Sequence, residues 1–296
     1  MVAGTETTAQ DKYAHLVKRH PCFNADAHVK HGRIHLPVSP ACNLRCRFCR
    51  REFNMTDIRP GVSQVLLAPQ EAVGIVERAL ELCPSITVVG IAGPGESLAT
   101  PHALYTLRLV HAQHPELIGC LSTNGLCLAE HIDEIVAVGV KTLTVTVNAI
   151  DAPTLAQING GIVLKGQLVT GIDAAETLVQ AQFAGIARAA DAGLVVKVNS
   201  VLIPGINDTH LPAVAKAVAA RGAMLYNIIP LIPQHELAHI PAPDCRLLNR
   251  VRAAAEEYLP VFRHCRHCRA DACGIPGGED LADQLYARRV ETFSHG

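Results

Sequence analysis

Cys42, Cys46 and Cys49 stand within eight residues in a C-x3-C-x2-C arrangement. Three thiolates hold three irons of a [4Fe–4S] cube and leave the fourth iron open to a substrate or cofactor, as a catalytic zinc keeps one position open. An electron carrier or a structural site is normally closed by a fourth ligand nearby, and none follows in the next several residues. A zinc knot is the alternative. Zinc sites more often use paired C-x2-C units, and only Cys46 and Cys49 are so spaced. Disulfide pairing would leave one thiol of the three over.

A second set of thiols lies near the other end of the chain. Cys265 and Cys268 form a C-x2-C pair able to hold one metal or one edge of a cluster. Arg263, Arg266 and Arg269 surround it and would offset the negative charge of a thiolate-bound cluster. A third set is scattered: His20, Cys22, Cys120 and Cys127. Mixed Cys/His ligation suits iron–sulfur chemistry, although a cysteine inside a strand is more often inert packing. Cys83 and Cys245 read as ordinary helix-associated thiols.

These residues need a scaffold, and hydrophobic patterning supplies one. Strands are expected over 33–38, 86–91, 117–121, 143–147, 195–202 and 224–229. Helices are expected over 69–82, 102–111, 130–138, 174–192, 211–220 and 247–258, with Asp173 and Asp208 placed to cap two of them. About six β–α repeats imply an α/β fold: a parallel sheet with helices outside, curled into a partial (β/α)6 TIM-like barrel whose active residues sit at the C-terminal ends of the strands. The expected organisation is an N-terminal extension over 1–30, the barrel over 31–260 and a C-terminal tail over 261–296. Residues 1–12 are expected to be disordered. The stretch 159–171, with four glycines, interrupts the rhythm and reads as either a flexible lid or an exposed insertion.

Polar clusters follow the strands. Gly93-Pro94-Gly95-Glu96 lets backbone approach a ligand closely, or is merely a turn. Ser122 and Asn124 follow the third strand, and Asn148 follows the fourth. Lys197 and Asn199 share one face of the fifth. Buried there, they need partners: a bound carboxylate or ribose, or an internal hydrogen-bond network.

Composition narrows the partners. A formal net charge of −1 gives no basic excess for nucleic acid, and the absence of Trp argues against a base-stacking surface. No apolar run is long enough to span a bilayer, and the polar start is no signal peptide. Eleven cysteines in a chain without a secretion signal read as metal ligands in a reducing cytoplasm. A monomer is expected.

The triad, with Phe48 just before its last cysteine, resembles the signature of the radical S-adenosylmethionine (SAM) superfamily, in which the open iron chelates SAM. The segment 93–96 resembles that superfamily's Gly-Gly-Glu element, and 203–208 its adenine-packing turn. His20-Pro21-Cys22-Phe23-Asn24, Arg33-Ile34-His35-Leu36-Pro37-Val38, Arg59-Pro60-Gly61-Val62, the segments 120–126 and 197–208, and Arg263 through Ala272 together resemble one family, NifB, the radical SAM maturases of the nitrogenase cofactor.

That resemblance implies a SAM-binding cluster on Cys42, Cys46 and Cys49. It also implies two further [4Fe–4S] clusters, fused with a SAM-derived carbide and sulfide into an [8Fe–9S–C] precursor. Cys22 and Cys120 with a histidine, His20 before His15, would hold one of these clusters, and Cys265 and Cys268 the other. Gly93, Gly95, Glu96, Ser122, Asn124, Asn148, Lys197 and Asn199 would line the SAM pocket, with Glu96 and Asn199 in the hydrogen relay. Implied partners are a reductant protein, a cluster donor and a cofactor acceptor of nitrogenase assembly. The sequence departs from the family at Asn54-Met55, near where a further cysteine is common, so a third ligand for the Cys265/Cys268 cluster is missing unless Cys273 replaces it. The chain resembles the short, stand-alone members. The rival readings are a radical SAM enzyme with auxiliary clusters acting on an organic substrate, and a non-catalytic iron–sulfur scaffold.

Overall fold

The computed structural model describes residues 13–286 and the backbone of 294–295; the stretch expected to be disordered, 1–12, lies outside these. Six parallel strands pair in chain order: β1 (Gly32–His35), β2 (Ile86–Ile91), β3 (Ile118–Thr123), β4 (Val140–Thr146), β5 (Val195–Leu202) and β6 (Leu225–Pro230). Between them run α1 (Ala72–Leu82), α2 (His102–Gln113), α3 (Leu128–Ala137), α4 (Gly171–Asp191) and α5 (Leu211–Ala219), and α6 (Cys245–Glu256) follows β6. Each crossover reaches the adjacent strand, so the sheet curls one way into the expected partial barrel.

Side-chain alternation explains why the barrel has an apolar outside and carries its polar strand residues on the inside, among apolar ones such as Val88 and Val201. Along β1 to β5, Ile34, Val89, Ile91, Leu121, Leu143, Val145, Val196 and Val198 join one buried cluster with the helices. The residues between them face inward: Arg33 and His35, Cys120 and Ser122, Thr144 and Thr146, Lys197 and Asn199. The free edge of β1 is covered by an antiparallel strand, Cys273–Gly274, which pairs with Ile34 and Arg33.

The stretch 159–171 is a hairpin rather than an irregular loop, partly buried at its base and exposed at residues 165–168, as an exposed insertion would be. A short helix, Ala152–Ile158, is capped by Asp151, whose carboxylate accepts the Thr154 N–H at 2.8 Å. A hairpin follows, Asn159–Leu164 against Gln167–Val169, turning at Lys165-Gly166, where both φ angles are positive as a two-residue hairpin turn requires. Gly161 is there because a Cβ would sit 2.7 Å from the Val169 carbonyl oxygen. Two expected caps also shift. α4 starts at Gly171, which puts Asp173 inside its first turn, and Asp208 accepts the Gly205 N–H in the preceding turn while His210 precedes α5.

Gly185 brings α4 onto α3: a Cβ there would lie 2.8 Å from that of Leu128. Gly185→Val should therefore cost about 1–3 kcal/mol by overpacking. Gly74→Ala, at an open helical position, should gain roughly 0.5–1 kcal/mol. Urea midpoints of the two variants check both signs.

Candidate metal and cofactor site

A cavity of about 330 Å³ runs from the barrel interior to the C-terminal ends of its strands. Cys22, Cys49, Cys120, Cys265 and Cys268 line it together, although they come from both ends of the chain, the third strand and the triad. His35, Arg33, Lys197, Ser122 and Asn199 line it as well. Cys127 and Cys273 do not. Cys127 accepts a hydrogen bond from Asn43 at 3.4 Å, and Cys273 is fully buried in the edge strand on β1.

The triad is held from two sides. On one, the Gly95 N–H donates to Ser39 O at 2.9 Å and the Glu96 N–H to Ala41 O at 2.8 Å. Only glycine permits this approach, since a Cβ on residue 95 would lie 2.2 Å from Ala41 O. On the other, the strand Leu44–Cys46 pairs with the hairpin, with Cys46 opposite Asn159. Among the described residues, no three Cys, His, Asp or Glu side chains converge tightly enough for a single metal ion.

Burial sets the state of the thiols. It pushes Cys22 up to about 12 and Cys42 to about 11, and raises Cys46, Cys49 and Cys120. Nearby Lys197 partly opposes the shift at Cys22, and the Leu44 N–H does so at Cys42. The metal-free thiols are therefore protonated at neutral pH, and loading them with iron must release protons.

The histidines differ by tautomer. His20 Nδ1 accepts the Cys22 N–H at 3.1 Å, so its neutral ring carries the proton on Nε2, which is buried without a partner. His15 is exposed on a short helix, Ala14–Val17, away from the cavity. His35, absent from the sequence-based set, has the opposite arrangement. Its Nδ1 lies 3.0 Å from the carbonyl oxygen of Arg269, which can only accept, so Nε2 keeps its lone pair. Its ring packs at Gly90 next to Cys120. Burial, with the Arg33 charge, lowers its pKa to about 4, so it is neutral near pH 7. Period-two alternation from Arg33 would have turned His35 inward on sequence grounds.

The remaining candidates divide. Glu96 is buried and ties two strand-end loops together, accepting from Thr123 Oγ1 at 2.5 Å, Asn124 N at 2.7 Å and Leu98 N at 3.1 Å. Burial still raises its pKa against these bonds. Asn124 Nδ2 donates to Asn43 at 2.7 Å, beside the triad. Asn148 does not line the cavity: its side-chain oxygen accepts the Val201 N–H at 2.9 Å. Lys197 donates to Cys22 O at 3.1 Å and lies 4.7 Å from the centre of the Phe23 ring, which docks the N-terminal extension inside the barrel. Asn199 accepts from Asn227 at 3.1 Å on the cavity wall.

A half-barrel with an open-ended cysteine triad at its mouth defines a radical SAM protein, and the Radical SAM superfamily model matches residues 36–218. That class carries a [4Fe–4S] cluster and SAM, which the thiols of the triad fit. Among solved structures, Streptococcus suis SuiB superposes with a TM-score of 0.58 at 13% identity, over 86% of this chain and 53% of that one. A radical SAM methyltransferase from Sphaerobacter thermophilus gives 0.53 at 20%, over 78% and 65%. These likenesses speak to the fold alone. The chain is 40% identical to the FeMo cofactor biosynthesis protein NifB of Methanocaldococcus infernus over 280 residues, 94% of this chain and 92% of that protein. It is 44% identical to the NifB of Klebsiella pneumoniae over 274 residues, 90% of this chain and 58% of that protein. The chain belongs to the NifB family. Among the described residues no helix is long and apolar enough to cross a membrane.

Two predictions follow from this geometry. Gly95→Ala should displace the segment carrying Cys42 and lower the iron retained by the triad, read as iron per chain after anaerobic reconstitution; unchanged iron would contradict the stapling role. In the metal-free protein, the unfolded His35 takes up a proton below about pH 6.5 that the folded one refuses down to about 4. Stability is therefore full above pH 6.5 and is lost as pH falls through that window. Between about pH 7 and 5 the loss from His35 should be roughly 2 kcal/mol. His35→Gln should flatten the pH dependence of the urea midpoint.

Proposed function

We propose that this chain is a radical SAM enzyme of nitrogenase cofactor biosynthesis that fuses two [4Fe–4S] substrate clusters into an [8Fe–9S–C] precursor. The reading rests on one observation: thiols from both chain ends and from β3 meet a triad cysteine in a single cavity. The names of the relatives, which are FeMo cofactor biosynthesis proteins, support it.

In this reading the barrel (31–260) handles SAM, while the extensions (1–30 and 261–296) present the substrate. Cys42, Cys46 and Cys49 would hold the resident cluster, which supplies the electron that cleaves SAM. Cys22, Cys120 and His35 would hold one substrate cluster, because His35 rather than His20 has an Nε2 lone pair to give. Cys265 and Cys268 would hold the other. A sulfide of the paired substrate is methylated from one SAM, and a second SAM is consumed in removing hydrogen from that methyl. Arg33 and Lys197 are cations on the cavity wall and would offset the negative charge of the substrate. Phe48 and Phe262 cover the same wall and limit water. Asn199 and Ser122 offer hydrogen bonds to whatever fills the space. A reductant protein, a cluster donor, a source of the ninth sulfide and an acceptor for the product complete the requirements.

Cys42→Ala should abolish 5′-deoxyadenosine formation from SAM. Cys265→Ala should retain the triad cluster and SAM cleavage but end product formation. Iron counts and chromatography of the SAM products check both, and equal loss of all iron in the two variants would contradict the division of sites.

A further inference from the structure

We propose that His28 is a nitrogen ligand, through Nε2, of the substrate cluster held by Cys265 and Cys268. The proposal rests on the reading of those two thiols as a cluster site.

His28 is 4% exposed and lines the cavity with Cys265 and Cys268. Its Nδ1 lies 2.8 Å from the carbonyl oxygen of Pro21. A carbonyl only accepts, so Nδ1 bears the proton and Nε2 keeps its lone pair. That Nε2 is buried with no hydrogen-bond partner. Leaving a buried polar atom unpaired is costly, so a neighbour that accepts its lone pair is favoured. Fixing Nδ1–H on a backbone carbonyl is how proteins aim Nε2 at a metal, and imidazole replaces thiolate on iron in some iron–sulfur centres.

The neighbours of His28 name the cluster. Its ring centre is 5.8 Å from that of His264 and 5.9 Å from that of Phe262, so it packs on the segment that delivers Cys265. Two thiolates would leave half the irons of a cube without a protein ligand. The other donors considered for that place are elsewhere. Met55 is 49% exposed, the amide oxygen of Asn54 accepts the N–H groups of Thr56 and Asp57, and Cys273 is enclosed in the edge strand. Asn24 caps the helix Ala25–His28 by accepting the Ala27 N–H at 3.0 Å, which fixes the backbone under His28.

The test uses the full chain, reconstituted anaerobically with iron and sulfide, reduced, and read by iron count and by pulsed EPR for nitrogen couplings. In His28→Ala one nitrogen coupling should vanish, and the same coupling should be missing from the Cys265→Ala/Cys268→Ala double variant. His28→Cys should keep the iron of the unaltered chain while still lacking that coupling, which separates ligation from misfolding. Every coupling surviving in His28→Ala would overturn the proposal, as would a coupling that depends on Cys265 and Cys268 being lost in His267→Ala but kept in His28→Ala; the separate coupling assigned to His35 should survive in His28→Ala. If the double variant retains all its iron, the cluster reading of Cys265 and Cys268 fails, and the proposal with it. A double variant that loses about four irons per chain, with His28→Ala keeping every coupling, sinks the histidine alone.

Discussion

Arg33 is a charged side chain only 5% exposed, and the closure of the cavity depends on where its guanidinium goes. Nη1 donates to Gly274 O at 2.7 Å and Nη2 to Cys268 Sγ at 3.1 Å, while the backbone of residues 33 and 34 pairs with 273 and 274. Burial works against the charge, but the nearby Cys268 and Cys22 sulfurs outweigh it and raise the pKa. A buried cation without such partners is strongly destabilising. One residue of β1 thus fastens the C-terminal tail to the sheet edge and brings one of its thiols to the barrel interior. A second buried pair, Arg269 with Asp271 at 2.8 Å, anchors the same tail, and Arg269 also reaches the carbonyls of Asn54 and Asp57.

Lys197 does for the N-terminal extension what Arg33 does for the tail. It reaches across the barrel to Cys22 O and lies over Phe23. Both anchors sit on inward rows of the sheet, where an ordinary barrel would carry apolar filling. The interior therefore sets two cations and several thiols among apolar residues such as Val88, Val201 and Ile229, and burial keeps Cys22, Cys49 and Cys120 protonated until a metal replaces the proton. An interior built this way is suited to an anionic cluster and poorly suited to being left as packed core.

The parts of this arrangement legible in the sequence were those with a local signal. The triad is contiguous. The strands 86–91 and 195–202 are apolar runs between breakers, and the structure starts and ends them at the same residues. The hairpin over 159–169 was not legible, because its glycines read as loop punctuation while their actual cause is close approach to the Val169 carbonyl and to the strand Leu44–Cys46. Cys120 could be assigned inward only once strand register was known, and Cys273, equally plausible by spacing, faces the core. Among fifteen histidines, composition cannot choose a ligand. The choice between His20 and His35 turns on which ring nitrogen meets a backbone N–H and which meets a carbonyl, a tertiary fact with no sequence signature.

The claim at the centre of this account is that carbon from SAM enters an iron–sulfur unit inside the cavity. The most direct measurement is ENDOR spectroscopy of the protein-bound cluster after turnover with SAM labelled with carbon-13 in its methyl group. The account predicts a carbon-13 hyperfine coupling on the cluster that is absent with unlabelled SAM. Turnover that consumes SAM, leaves the cluster signal uncoupled and returns the label in an organic product would contradict it.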